Sequence, residues 1–94
     1  NFVTAWGENG NGRGEFDAVH AVATDSIGRI YVADRNNDRI QVFNPQGRFV
    51  RQWLGVGSGY GWFRWPHGLT ITPDRDVYVS DDLDDRILVF KPII

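Results

Sequence analysis

The chain has 94 residues, of which 41% are hydrophobic and 23% are charged, a composition typical of one soluble globular domain. It contains no apolar run long enough for a membrane-spanning helix and no visible signal peptide, and the absence of cysteine excludes disulfides, thiolate catalysis and cysteine-ligated zinc. A net charge of -2 argues against duplex DNA or an anionic membrane as a partner. None of these features indicates a cellular compartment.

Short β-rich segments separated by turn motifs run along the chain. The turns include Asp25-Ser26-Ile27-Gly28 and Asn44-Pro45-Gln46-Gly47, whose residue types favour tight turns, and the segments between turns are too short for helices. The sequence therefore predicts an all-β fold. The predicted strands are, in chain order, Phe2–Gly7, Val19–Thr24, Ile30–Asp34, Arg39–Phe43, Phe49–Leu54, Leu69–Thr72, Val77–Asp81 and Arg86–Phe90.

The chain consists of two copies of one unit. When the chain is aligned on itself with an offset of 47 residues and no gap, identical residues recur along its length. They extend from the pair Phe2 and Phe49 to the pair Pro45 and Pro92. The first repeat covers about residues 2–48 and the second about residues 49–94. A period in the forties is typical of propeller blades and of helical HEAT or armadillo repeats, and the β-rich segments favour blades.

Strands that are apolar on both faces separate a propeller from an ordinary β-sandwich. The segment Ile87–Phe90 has no polar residue at either alternating position, so both faces of its sheet must be covered. A sandwich strand would carry polar residues at every second position. Stacked blades provide the required cover, and the sequence predicts a β-propeller.

Two segments carry a resemblance to a known family. Residues Gly28–Phe43 read GRIYVADRNNDRIQVF and closely resemble the NHL repeat, whose blades pair a YVAD strand with an NxRIQVF strand. The segment Trp6–Phe16 is similar to the WGxxGxGxGxF link between blades of that family. The resemblance implies four-stranded antiparallel blades around a channel, and the second copy departs from it in the loop Asp82-Leu83-Asp84.

Two blades cannot close a ring, because propellers need about four to eight. We expect the N-terminal strand Phe2–Gly7 of one chain to complete the last blade of a neighbouring chain, in a heterologous contact that closes a ring. Six blades, which are common in the family, would make a homotrimer, and four or five chains are alternatives. The chain could also be a fragment of a longer protein, or an engineered one, and its exposed blade faces would then still favour self-assembly.

Two equivalent histidines, His20 and His67, begin the inner strands, where they can point towards the channel. In a trimeric ring six such imidazoles would lie near one axis, as ligands for zinc or another transition metal. The alternative is a purely hydrogen-bonded channel residue.

A narrower resemblance concerns the second copy. The stretch Phe63–Thr70 reads FRWPHGLT and is similar to a motif of the peptidyl-hydroxyglycine amidating lyases, which are six-bladed propellers. In that family the motif histidine binds catalytic zinc, which the resemblance carries over to His67 and, less well, to His20. It further implies an arginine that holds the substrate carboxylate, for which Arg13 and Arg35 are candidates. A zinc-dependent lyase or hydrolase is thus the alternative function.

The remaining charged and aromatic residues predict structure more than chemistry. Asp34 with Arg39 and Asp81 with Arg86 recur at one spacing, which indicates ion pairs across strand-joining loops. The acidic run Asp81–Asp85 lacks the spacing of a calcium loop. RNA binding is disfavoured because acids match the arginines on the loop face. The candidate ligand-face residues are Arg13, Arg35, Trp62 and Trp65. The sequence thus predicts a self-assembling propeller for binding or scaffolding, with an unknown ligand and no secure enzymatic activity.

Overall fold

The computed structural model describes residues 2–54, 65–81 and 85–91, and this part of the chain is all β apart from one turn of 3-10 helix at Arg35–Asn37. None of the helical residues in these ranges forms a segment long and apolar enough to cross a membrane. The strands are β1 (Glu8–Asn9), β2 (Glu15–Phe16), β3 (Val19–Thr24), β4 (Ile30–Asp34), β5 (Arg39–Phe43), β6 (Phe49–Leu54), β7 (Pro66–Ile71), β8 (Val77–Asp81) and β9 (Arg86–Phe90).

The first blade is a four-stranded antiparallel sheet in the order β3-β4-β5-β6. Tight turns between its strands follow from local side-chain chemistry. The Asp25 carboxylate accepts hydrogen bonds from the backbone N–H groups of Ile27 and Arg29, and Gly28 supplies the positive φ of 85° that the turn requires. The Asn44 side chain and Gly47 repeat this arrangement between β5 and β6.

The second blade repeats the register of the first. Its strands β7, β8 and β9 form an antiparallel sheet in which Val77 pairs with Phe90 and Tyr78 with Val89, as Ile30 pairs with Phe43 and Tyr31 with Val42 in the first blade. The offset of 47 residues therefore describes the pairing as well as the sequence.

The prediction of a strand over Phe2–Gly7 does not hold within a single chain. These residues form no strand, and their side chains are exposed. The physical reason is that a strand needs an edge to pair with, and the edge to which the sequence assigns them belongs to a neighbouring copy. Their strand in an assembly stays a prediction.

The core lies between the two blades. Tyr31 and Ala33 of β4 and Ile40 and Val42 of β5 are buried against the second blade. That blade contributes Val77, Val79 and Leu88, with Leu69, Ile71 and Phe90 packed around them. Trp53 of β6 completes the contact, with its ring stacked on that of Phe90 at a centroid distance of 4.6 Å.

Candidate functional site

Each blade has two different faces, and the offset of 47 residues relates each face of the first blade to the equivalent face of the second blade. The face of the first blade that meets the second is formed by Tyr31, Ala33, Ile40 and Val42. Its equivalent on the second blade points away from the first blade and is called the head face here. The head face consists of Gly68, Thr70, Tyr78, Ser80, Ile87 and Val89.

The head face is apolar and open to solvent. Tyr78, Ile87 and Val89 are 40%, 62% and 50% exposed, whereas their counterparts in the first blade are buried. Large apolar side chains of this kind, grouped on one sheet, are characteristic of interaction surfaces.

The opposite surface of the first blade is called the tail face here, and it is formed by Val19, Val22, Ile30 and Val32. With Ala5, Trp6 and Phe16 these residues line an apolar hollow of about 270 Å³. In the second blade the residues equivalent to Val22, Ile30 and Val32 are Leu69, Val77 and Val79, which pack against the first blade. The tail face is thus equivalent to the surface of the second blade that the first blade covers.

An open sheet edge lies beside the head face. In the described part of the chain β9 pairs only with β8, whereas the equivalent strand β5 pairs with β4 on one side and with β6 on the other. An edge of this kind offers backbone N–H and C=O groups to an added strand.

The two predicted histidines lie side by side. His20 and His67 are the second residues of β3 and β7, both are exposed, and their ring centroids are 3.7 Å apart. Each is thus at the start of an inner strand, as the sequence predicts. Among the described residues, no group of three or more His, Cys, Asp or Glu side chains is arranged to hold a metal ion. Two imidazoles supply two of the four ligands of a tetrahedral zinc site, so the other two would have to come from other groups.

Contacts beside the histidines join the two blades. The Arg35 guanidinium carbon lies 4.1 Å from the centre of the Trp65 ring, and the Trp65 backbone N–H donates to the Asp38 carboxylate over 2.9 Å. The Arg35 Nε is buried and has no hydrogen-bond partner among the described atoms. Arg13, the other candidate arginine, lies over Phe49 of β6 at 5.2 Å. The two arginines therefore contact different aromatic residues, one before β7 and one in β6, and Trp62 lies outside the described residues.

The Asp34–Arg39 pair is the centre of a buried network in the first blade. Arg39 Nε donates to Asp34 over 2.8 Å, and both side chains are almost fully buried. The guanidinium also donates to the backbone carbonyls of Asn11, Gly12 and Glu15. The pair therefore fixes the Gly-rich link as well as the loop for which it was predicted. Asp34 additionally accepts from the backbone N–H of Asp17 and from the side chains of Asn37 and Gln41.

The equivalent pair in the second blade is more open. Arg86 Nε donates to Asp81 over 3.1 Å, and the Arg86 side chain is 30% exposed. Asp82 and Asp84 of the acidic run lie outside the described residues, and Asp85 is exposed with a positive φ of 54°.

The Tyr31 hydroxyl donates a buried hydrogen bond to the Asp25 carboxylate. Burial first, and then the bond from the Tyr31 hydroxyl to the Asp25 carboxylate at 3.0 Å, raises the pKa of Tyr31 above its ordinary value.

Comparison with known proteins agrees with this architecture. The family model described as "6-bladed beta-propeller" matches residues 13–91. Human NHL repeat-containing protein 3 is 53% identical over 45 residues, which cover 46% of this chain and 13% of that protein. The chain is also similar to rat E3 ubiquitin-protein ligase TRIM71, at 47% identity over 50% of this chain and 6% of that protein. Caenorhabditis elegans Protein lin-41 is 38% identical over 51% of this chain and 4% of that protein.

The family model defines first the class, a β-propeller, and the relatives then define the kind of repeat. The chain belongs to the NHL-repeat β-propeller family. The β-propeller fold and the resemblance to the NHL repeat, both predicted from the sequence, are confirmed. The matched regions correspond to between 4% and 13% of the length of the three relatives named here, so the activities of those whole proteins are not assigned to this chain.

Sequence reasoning predicted exposed blade faces but did not name the residues that form them. The large side chains Tyr, Ile and Val occur at equivalent positions of the head face and the buried face, so they do not distinguish the two faces, although Ser80 replaces Ala33. The repeat itself was the available signal, because each position of the second copy can be compared with its counterpart in the first.

Proposed function

We propose that this chain is a protein-interaction scaffold whose first partner is another copy of itself, and that two-blade units assemble into a closed propeller ring. The observation that carries the proposal is the head face, on which Tyr78, Ile87 and Val89 are exposed although their counterparts are buried against a neighbouring blade. Burial of such side chains is the main favourable term in association.

The expected ring has six blades. The family is described as six-bladed, and each chain supplies two blade sheets, so that three copies would complete the ring. Three copies would bring six histidines, His20 and His67 of each chain, around one channel. The loop end of this ring would be the surface that binds other proteins, since loops on a rigid scaffold commonly carry recognition.

The mass in solution tests this proposal. Light scattering on the eluting peak of a size-exclusion column is expected to give three times the chain mass of 10.7 kDa. Ile87→Glu should lower that mass, because it places a charge on the head face. Ile27→Glu is the matched control, since Ile27 is comparably exposed at 52% but lies in a turn away from that face. A chain-sized peak with a native β signal in circular dichroism would contradict the proposal.

The adjacent histidines favour a second, narrower candidate, which is transition-metal binding. The 3.7 Å separation of the His20 and His67 rings places two nitrogen donors together. Zinc titration by calorimetry, with His67→Ala as the variant and His20→Ala as its repeat-equivalent comparison, tests this candidate. If the purified protein binds no zinc and His67→Ala does not change the titration, both the metal site and the lyase alternative that depends on it are excluded.

A further inference from the structure

We infer that copies of this chain dock head to tail, with the head face of one copy on the tail face of the next, through equivalents of the contacts that complete the first blade and join it to the second. This inference rests on the proposed self-assembly and specifies its interface. The occupant of the head face is therefore a second copy of the chain, presented in one orientation.

The inference follows from applying the 47-residue offset to contacts that are present in the structure. Tyr31 packs against Trp53 with a centroid distance of 5.9 Å. The equivalent residues are Tyr78, which is exposed on the head face, and Trp6, which is 47% exposed and lines the hollow of the tail face. Tyr78 of one copy accordingly meets Trp6 of the second copy.

The loop end supplies two further contacts. The contact of the tilted His20 and His67 rings within a chain has as its equivalent His67 of one copy with His20 of the second copy. The bond from the Trp65 backbone N–H to the Asp38 carboxylate has as its equivalent a bond from Ala18 of the second copy to Asp85. The backbone is prepared for this bond, because φ is 63° at Ala18 and 54° at Trp65, and 51° at Asp38 and 54° at Asp85.

A strand addition accompanies these side-chain contacts. In the first blade Ile40 of β5 pairs with Trp53 of β6, and Val42 pairs with Arg51. The equivalent pairs join Ile87 and Val89 of β9 to Trp6 and Thr4 of the second copy. Phe2–Gly7 of the second copy would thus become the fourth strand of the second blade, in a defined register. Pairing would use both the open edge of β9 and the segment that forms no strand in a single chain.

A two-fold symmetric contact between two head faces is the competing arrangement. It would bury the same apolar side chains, but it has no counterpart between the blades of one chain. It would also leave the hollow of the tail face uncovered, and Trp6 of the second copy would not lie beside Tyr78. Repetition of a heterologous contact, by contrast, generates a ring when the rotation closes.

Two blocked variants distinguish these arrangements. Ile87→Glu/Val89→Glu blocks the head face, and Val19→Glu/Val22→Glu blocks the tail face. All four side chains are 48% exposed or more, so the substitutions should have little effect on the folding of the single chain. Head-to-tail docking predicts that each variant alone falls from three chain masses to one. It also predicts that an equimolar mixture gives a complex of two chains, since one variant keeps a free head and the other a free tail.

Other outcomes overturn the inference. A dimer formed by the tail-blocked variant alone would indicate contact between head faces, and a mixture in which both variants stay at one chain mass would exclude the head-to-tail contact. A wild-type chain that is itself monomeric would instead remove the proposed self-assembly, so the two failures are distinguishable.

Disulfide trapping tests the orientation of the two copies without blocking a face. It therefore still tests the inference if a blocked variant loses its β signal in circular dichroism. The chain has no cysteine, so Ala18→Cys/Asp85→Cys introduces the only pair. Oxidation is expected to give covalent species of two and three chains on a denaturing gel. The control, Ile27→Cys/Asp85→Cys, should stay at one chain. A single-chain band from both variants would overturn the inferred contact.

Discussion

The two blades share a sequence pattern and a register, but they differ in what surrounds them. In the first blade the Asp34–Arg39 pair is closed off from solvent by the Gly-rich link, and the apolar face beside it is covered by the second blade. In the second blade Arg86 is 30% exposed, and the equivalent apolar face is open. Equivalent residues therefore have different energetic roles, because burial rather than identity sets the cost of losing a contact.

The largest expected difference concerns the two arginines. Arg39→Met should lower the free energy of unfolding by about 3–5 kcal/mol, since it leaves the buried Asp34 carboxylate without its cation. Arg86→Met should cost less, about 1–3 kcal/mol, because it also leaves a buried carboxylate, that of Asp81, but solvent can reach the position of the partly exposed Arg86 side chain. Urea unfolding at one fixed protein concentration measures both. Equal losses would show that the difference in burial has no energetic consequence.

The two equivalent tyrosines give the next difference. Tyr31→Phe removes a buried hydrogen bond to a carboxylate and should cost about 1.5–3 kcal/mol. Tyr78→Phe should change the stability of a single chain very little, because Tyr78 is exposed.

Tyr31 also makes the free energy of unfolding depend on pH. Because its pKa in the folded chain is raised above the ordinary value of 10.0, its contribution to stability is complete below that pH and is lost as the pH rises through the folded pKa. Urea unfolding at pH 8 and in steps above pH 10 should show a decline that Tyr31→Phe reduces and Tyr78→Phe does not. A decline of the same size in Tyr31→Phe would assign it to other groups.

The isoleucines sharpen the comparison between the covered and the open face. Ile40→Val should cost about 0.5–1.5 kcal/mol at any protein concentration, since Ile40 is buried within one chain. Ile87→Val should have an effect only at concentrations where copies associate. Unfolding curves at two concentrations, one below and one above the association range, separate the two cases. A loss for Ile87→Val that is independent of concentration would contradict the open head face.

The smallest expected effect belongs to the cation–π contact of Arg35 with Trp65. The sequence places Asp82 and Ala18 at the equivalent positions, so this contact has no analogue in the contacts inferred between copies. A double-mutant cycle with Arg35→Ala and Trp65→Leu should give a coupling energy of about 0.5–1 kcal/mol. Coupling near zero would show that the two side chains are only neighbours.

Much of the fold could be predicted from the sequence, because strands and turns depend on local patterns. The bounds predicted for the strands Ile30–Asp34, Arg39–Phe43 and Val77–Asp81 are those that the structure has. The apolar segment Leu69–Thr72 belongs to a strand that spans Pro66–Ile71, so the strand starts within one residue of His67, where the inner strand is predicted to begin.

The candidate site was less accessible to sequence reasoning. The approach of His20 to His67 and the placement of Arg39 beneath the Gly-rich link depend on residues that are 24 or more positions apart. No local pattern encodes such distances. The positive φ at Ala18 and Trp65 has the same origin, because neither residue type favours that conformation by itself.

The network around Arg39 also bears on how such repeats can be copied during evolution. Its guanidinium donates to carbonyls of Asn11, Gly12 and Glu15, and the Gln41 amide donates to Glu15 and accepts from Gly14, so the Gly-rich link is tied to the blade that follows it. A gene duplication that began at β3 would leave these buried polar groups without partners. A duplication that included the link would carry its partners with it, which places the viable seam of the repeat before the link.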